Sequence, residues 1–77
     1  MTFRPLDAVV LEKDLPEHRL VRGDLGAVVH VFEPDGLEVE FVSASGRTEA
    51  LVTLSVRAVR QVKETDIIAV RDLRRSA

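Results

Sequence analysis

This 77-residue chain reads as an all-β protein, a small SH3-like barrel of about five strands with a long first loop and a C-terminal extension. Three observations lead there. Short Val-rich runs alternate apolar and polar residues with period two, and no segment sustains a helical period. Gly and Pro punctuate those runs at close spacing. A chain this short has little material for a second layer, and closing a sheet into a barrel removes exposed strand edges.

The first strand is expected over residues 6–11. Residues 12–24 then form a long polar connection that contains Pro16 and ends in the turn Arg22-Gly23-Asp24, with Leu15 and Leu20 available to pin it to the barrel mouth. In SH3-like folds a loop in this place often contributes to the binding surface. The second strand is expected over residues 25–32 and the third over residues 37–42. Between them Glu33-Pro34-Asp35-Gly36 has type I turn chemistry, with Pro presetting φ and Gly following. If Glu33 and Leu37 flank that turn, Val31 faces Val39 and Val29 faces Phe41 inside, while His30 meets Glu40 and Val28 meets Val42 outside.

Ser45-Gly46, closed by Ala44 and Arg47, leads to a fourth strand over residues 48–54. That hairpin pairs Phe41 with Ala50, Val39 with Val52 and Leu37 with Leu54. Both turns place Leu37, Val39 and Phe41 on one buried face, and a slip of one residue would turn Glu38 and Glu40 inward instead. A short fifth strand over residues 58–62 completes a barrel domain spanning residues 1–62. In the extension, residues 63–77, Thr65-Asp66 suits the cap of a short helix, whereas the β-branched run Ile67-Ile68-Ala69-Val70 favours a strand.

Composition excludes several functions. There is no Cys, so disulfides and thiolate metal sites are ruled out, and His18 and His30 alone do not make a zinc site. No cofactor is expected. The first ten residues lack the apolar core of a signal peptide and no stretch approaches a membrane span, which suggests a cytoplasmic protein with no membrane partner. The net charge of −2 argues against general nucleic-acid affinity. Charge is nevertheless uneven: −5 over residues 1–46 and +3 over residues 47–77. Arg71, Arg74 and Arg75 make a basic tail suited to an acidic partner.

No constellation for catalysis is legible. The cross-strand pair His30–Glu40 lies on an outer face without a nucleophile or a cleft. Glu38 and Glu40 alternate as a solvated strand face does, and Ser43, Ser45 and Ser55 sit where turns need them. The expectation is therefore not an enzyme. What stands out is an apolar outer face: Val28, Phe32, Val42 and Leu51 point away from the core in this register, and a contiguous patch of that kind often marks an interface. Ile67, Ile68 and Val70 either fold back to cover the patch or extend it.

These residues together resemble a bacterial family of small proteins catalogued as domain of unknown function 4926. The resemblance rests on Asp7, Val9 and Leu11; Leu15 and Pro16; Gly23, Asp24 and Gly26; and Val39, Glu40 and Phe41. It continues through Gly46, Arg47 and Thr48, then Val52, Thr53 and Leu54, then Arg60 and Val62. It implies an SH3-like fold and no activity. Gly23-Asp24-Leu25-Gly26-Ala27-Val28 is also similar to the turn of KOW-type barrels, which implies nucleic-acid binding as an alternative. The functional expectation is a protein-interaction module that self-associates as a homodimer or serves as an accessory, antitoxin-like subunit.

Overall fold

The computed structural model describes residues 3–74. Five strands form one antiparallel sheet: β1 (Ala8–Leu11), β2 (Leu25–Phe32), β3 (Gly36–Val42), β4 (Thr48–Ser55) and β5 (Val59–Gln61), in the order β4-β3-β2-β1-β5. Every strand sends side chains into one core: Val9 and Leu11, Val28, the trio Leu37, Val39 and Phe41, then Ala50, Val52 and Leu54, and finally Val59. A single sheet with a one-sided core and no second layer must curl around it. The two edge strands, β4 and β5, are joined by a 3-10 turn at Val56–Ala58 that buries Ala58. The all-β class and the five strands match the sequence, and the hydrogen-bonded ladder runs open from β4 to β5.

β1 begins two residues later than the alternation suggests, because Leu6 takes a left-handed φ of 77° in a turn. That turn is closed by the Asp7 N–H to the Arg4 carbonyl (3.1 Å) and the Arg4 N–H to Asp7 Oδ2 (2.9 Å). The long connection is anchored as expected. Leu15 and Leu20 are buried and bridge each other across a 3-10 turn at Pro16–His18. Arg19, at φ 59°, reverses the chain there.

The first hairpin departs from expectation in an instructive way. Its closing pair is Phe32 and Gly36, so Gly36 belongs to β3 and the loop is Glu33-Pro34-Asp35. Val31 consequently pairs with Leu37 and His30 with Glu38, not with Glu40. A β-bulge between Val28 and His30 then absorbs Val29, and beyond it Val28 pairs with Val39. One extra residue exchanges the two faces of a strand. Val28 is therefore 0% exposed, in the centre of the core, and not on the outer face beside Val42.

The same inversion turns Gly26 inward. A Cβ there would stand 2.7 Å from Val39 Cγ1 and 2.8 Å from Phe41 Cε1, so the Phe41 ring fills the space that a side chain would need.

The second hairpin keeps the expected ladder: Leu37–Leu54, Val39–Val52 and Phe41–Ala50. Its turn is one residue longer than expected. Ser43 and Arg47 close it (N–H to carbonyl 2.9 Å), and Gly46 at φ 84° supplies the left-handed position. β5 starts at Val59 because Ala58 is held in the preceding turn, whose Arg57 N–H is accepted by Ser55 Oγ.

Val62 still donates its N–H to the Ala8 carbonyl of β1 (3.3 Å), and beyond it the chain leaves the sheet. Among the described residues of the extension there is neither helix nor strand, so both expected conformations are corrected. A strand needs a neighbouring edge, and this segment runs over the face of the sheet. Arg75 lies outside the described residues.

Candidate interaction surface

Two ion pairs position the tail. At its start Arg60, on β5, donates from both terminal nitrogens to Asp66 (2.8 and 3.0 Å), with Glu12 3.4 Å from its Nε. Asp66 also accepts the Lys63 N–H at 2.7 Å, and its own N–H returns to the Lys63 carbonyl. At its end Arg71 reaches the Gly23-Asp24 turn. It donates Nε–H and Nη2–H to the two carboxylate oxygens of Asp24 (2.8 and 2.6 Å), and Nη2–H also to the Arg19 carbonyl at 2.9 Å. This planar two-point grip is what a guanidinium does better than an ammonium.

The electrostatics follow the geometry. Hydrogen bonds from Arg60 and the Lys63 amide hold the Asp66 carboxyl down at about 2. For Asp24, burial works against ionisation, yet the bonds from Arg71 and the Val21 N–H outweigh it and keep its pKa below the usual value. Arg60 and Arg71 are pushed up mainly by bonding to Asp66 and Asp24 respectively.

Between these two clamps the tail crosses the outer side of β1 and β2, near Val10 and Leu25. Its apolar side chains do not turn down onto the sheet: Ile67 is 92% exposed, Val70 97%, and Ile68 is also exposed. The tail thus lies back on the sheet, but Val42 and Leu51 stay exposed beside its own exposed side chains, so the expected cover over the patch is not formed. Beside it lies a groove of about 680 Å³. Leu25, Phe41, Val42, Ala69, Val70 and Leu73 give it apolar walls, and Arg47, Glu49, Asp72 and Arg74 contribute charges of both signs.

The other expected surface residues separate into groups. Val42 (56% exposed) borders the groove, and Leu51 (53% exposed) stands on the outer face opposite Glu40. Phe32 is exposed at the far end of β2, where its ring centroid lies 4.5 Å from that of His30. Gly36 and Val42 are the two ends of β3, six residue steps and about 20 Å of strand apart. Phe32 and Val42 therefore do not share one patch, and Glu38 and Glu40 stand between them. Val28 is absent from the surface altogether.

Sequence reasoning missed Leu25, which lines the groove, and the two clamps. The only signal was the acidic first part of the chain against its basic end, and it bears on the Arg71–Asp24 clamp alone, since Arg60 and Asp66 both lie in the second part. The acidic group that Arg71 meets is Asp24 of the same chain, 47 residues away. Among the described residues no three His, Cys, Asp or Glu side chains converge as metal ligands would, and no helix is long and apolar enough to cross a membrane.

A protein family described as Domain of unknown function (DUF4926) matches residues 6–61, from the turn before β1 to the end of β5. No curated protein and no solved structure matches the chain.

Proposed function

The chain belongs to the DUF4926 family, a domain of unknown function, and we propose that it is a non-enzymatic protein-interaction module that self-associates through the tail side of the sheet. The observation that carries this reading is the state of the tail. Ile67 and Val70 are almost wholly exposed while the segment is clamped at both ends by Arg60–Asp66 and Arg71–Asp24. Ordering a segment costs about 1–2 kcal/mol per residue of conformational entropy. Burial would normally offset that, and these side chains gain little of it within the monomer. A second surface laid on the tail and the adjoining groove supplies the missing burial.

The preference for a second copy comes from charge. The groove carries Arg47 and Arg74 alongside Glu49 and Asp72, and a surface with both signs can oppose itself across a two-fold axis. The non-enzymatic part rests on the direction of the pKa shifts. Asp24 and Asp66 are held ionised by arginines, whereas a general acid or base near neutral pH needs a carboxyl pushed up. His30 is packed against Phe32 and exposed, outside the groove.

Light scattering on the full chain over a range of concentrations tests the reading. A concentration-dependent dimer that Val42→Glu dissociates, with an unchanged circular dichroism spectrum, is the expected result. A monomer at every concentration would refute self-association.

A further inference from the structure

Asp24, Leu25 and Ala69 each line two hollows. One is the groove of about 680 Å³ beside Phe41 and Val42, and the other holds about 290 Å³ beside Val10 and Val62. The tail is the wall between them: residues 67–69 border the smaller hollow and residues 69–74 the larger.

The two ends of that wall are fastened unequally. Asp66 is tied into a local ring. It accepts two bonds from Arg60, six residues away, and one from the Lys63 N–H, and its own N–H returns to the Lys63 carbonyl. Contacts this close in sequence re-form at little entropic cost. At the far end one guanidinium makes the bonds to the body: Arg71 meets both carboxylate oxygens of Asp24 and the Arg19 carbonyl. The next bond along the chain, from the Arg74 N–H to Asp72, is internal to the tail. Among the described residues, the backbone of residues 67–70 makes no hydrogen bond, and Leu73 is the one apolar side chain after Asp66 that is not exposed. A segment with so few backbone bonds and so little burial opens at low free energy.

We infer that residues 67–74 are a strap that swings out from its Arg71 end, pivoting at Asp66, and so opens the two hollows into one cleft over Val10 and Leu25. The strap is a gate: whatever takes Asp24 from Arg71 enlarges the groove while the β ladder stays intact. It goes beyond the proposed self-association and stands without it, because opening is a property of a single chain.

The chain has no cysteine, so one introduced thiol reports on one place. Val10→Cys puts that thiol in the smaller hollow, and Val42→Cys puts it on the groove wall, where the native side chain is already 56% exposed. In dilute solution, adding Arg71→Gln should speed labelling of Val10→Cys by a bulky maleimide about fivefold. Labelling of Val42→Cys and the circular dichroism spectrum should not change. Leu25→Cys, which lines both hollows, is a second reporter should Val10→Cys fail to fold. In the Arg71→Gln chain the Asp66 carboxyl carbon should still titrate at about 2, as a pivot held by Arg60 requires.

Three outcomes overturn the inference. An unchanged labelling rate at position 10 would mean that Arg71 fastens no strap. Titration of Asp66 at its usual 3.8 in Arg71→Gln would mean that the tail leaves as a whole, without a pivot. Equal acceleration at Val42→Cys would mean that the sheet itself loosens. None of these bears on whether two copies pair, which light scattering reads separately.

Discussion

In the curled sheet, apolar side chains go where the period-two pattern sends them: Leu37, Val39 and Phe41 inward on β3, and Ala50, Val52 and Leu54 inward on β4. In the tail, Ile67, Ile68 and Val70 are as apolar, yet they face water, and what holds the segment is Arg60–Asp66 and Arg71–Asp24. One region is held by apolar burial without buried charge, the other by part-buried ion pairs while its apolar side chains stay in water. The difference leads to an expectation: the tail should come away without unfolding the sheet. Exposed and half-exposed ion pairs contribute little, whereas a buried leucine contributes several kcal/mol.

The largest effect should come from the core. Leu37→Ala empties a site with 0% exposure and is expected to lower stability by about 2–5 kcal/mol in urea unfolding. A loss below about 1 kcal/mol would mean that the sheet is not the cooperative unit. Next, Gly26→Ala forces a Cβ to within 3.0 Å of the Glu40 carbonyl as well as onto Val39 and Phe41. Overpacking there should cost about 1–3 kcal/mol. A neutral result would show that the Phe41 ring has another place to go, and would weaken the claim that the bulge fixes the face of Gly26.

Arg71→Met should act in the opposite manner. It is expected to change global stability by about 1 kcal/mol or less while making residues 63–74 readily cleaved by protease. Unfolding of the whole chain on this substitution would erase the distinction between the regions.

Acidity offers a finer test. Pairing holds the Asp66 carboxyl at about 2, below its usual 3.8. The Arg60–Asp66 clamp therefore contributes fully above about pH 4, and its contribution is lost as the pH falls through the interval from 3.8 to about 2. The Asp66 carboxyl carbon resonance should titrate within that window, and titration already at pH 5–6 would contradict the assignment. The smallest effect is expected from Glu38→Gln on the outer face of β3, within about 0.5 kcal/mol.

The sequence and the structure agree unevenly, for a reason visible in particular residues. The β3–β4 ladder was legible because Leu37, Val39 and Phe41 alternate with Glu38, Glu40 and Val42, and only one register keeps the glutamates in water. β2 was not, because LGAVVHVF is apolar at nearly every position and either face can pass for the buried one. Nothing in that string marks Val29 as the bulged residue. The groove was legible only through Val42 and the tail residues. Leu25 was lost with the face of β2, and the clamps join positions 6 and 47 residues apart that no local pattern connects.

The sequence by itself thus determined the all-β class, the five strands, the buried side of β3 and β4, and the pinning of Leu15 and Leu20. These follow from alternation and turn chemistry, which act over a few residues. Only the tertiary structure decided that Val28 is core, that Gly26 must have no side chain, and that the tail lies clamped over the sheet with its isoleucines outward. Those outcomes depend on which atoms already occupy a space or wait with the opposite charge, and a one-dimensional pattern does not carry that information.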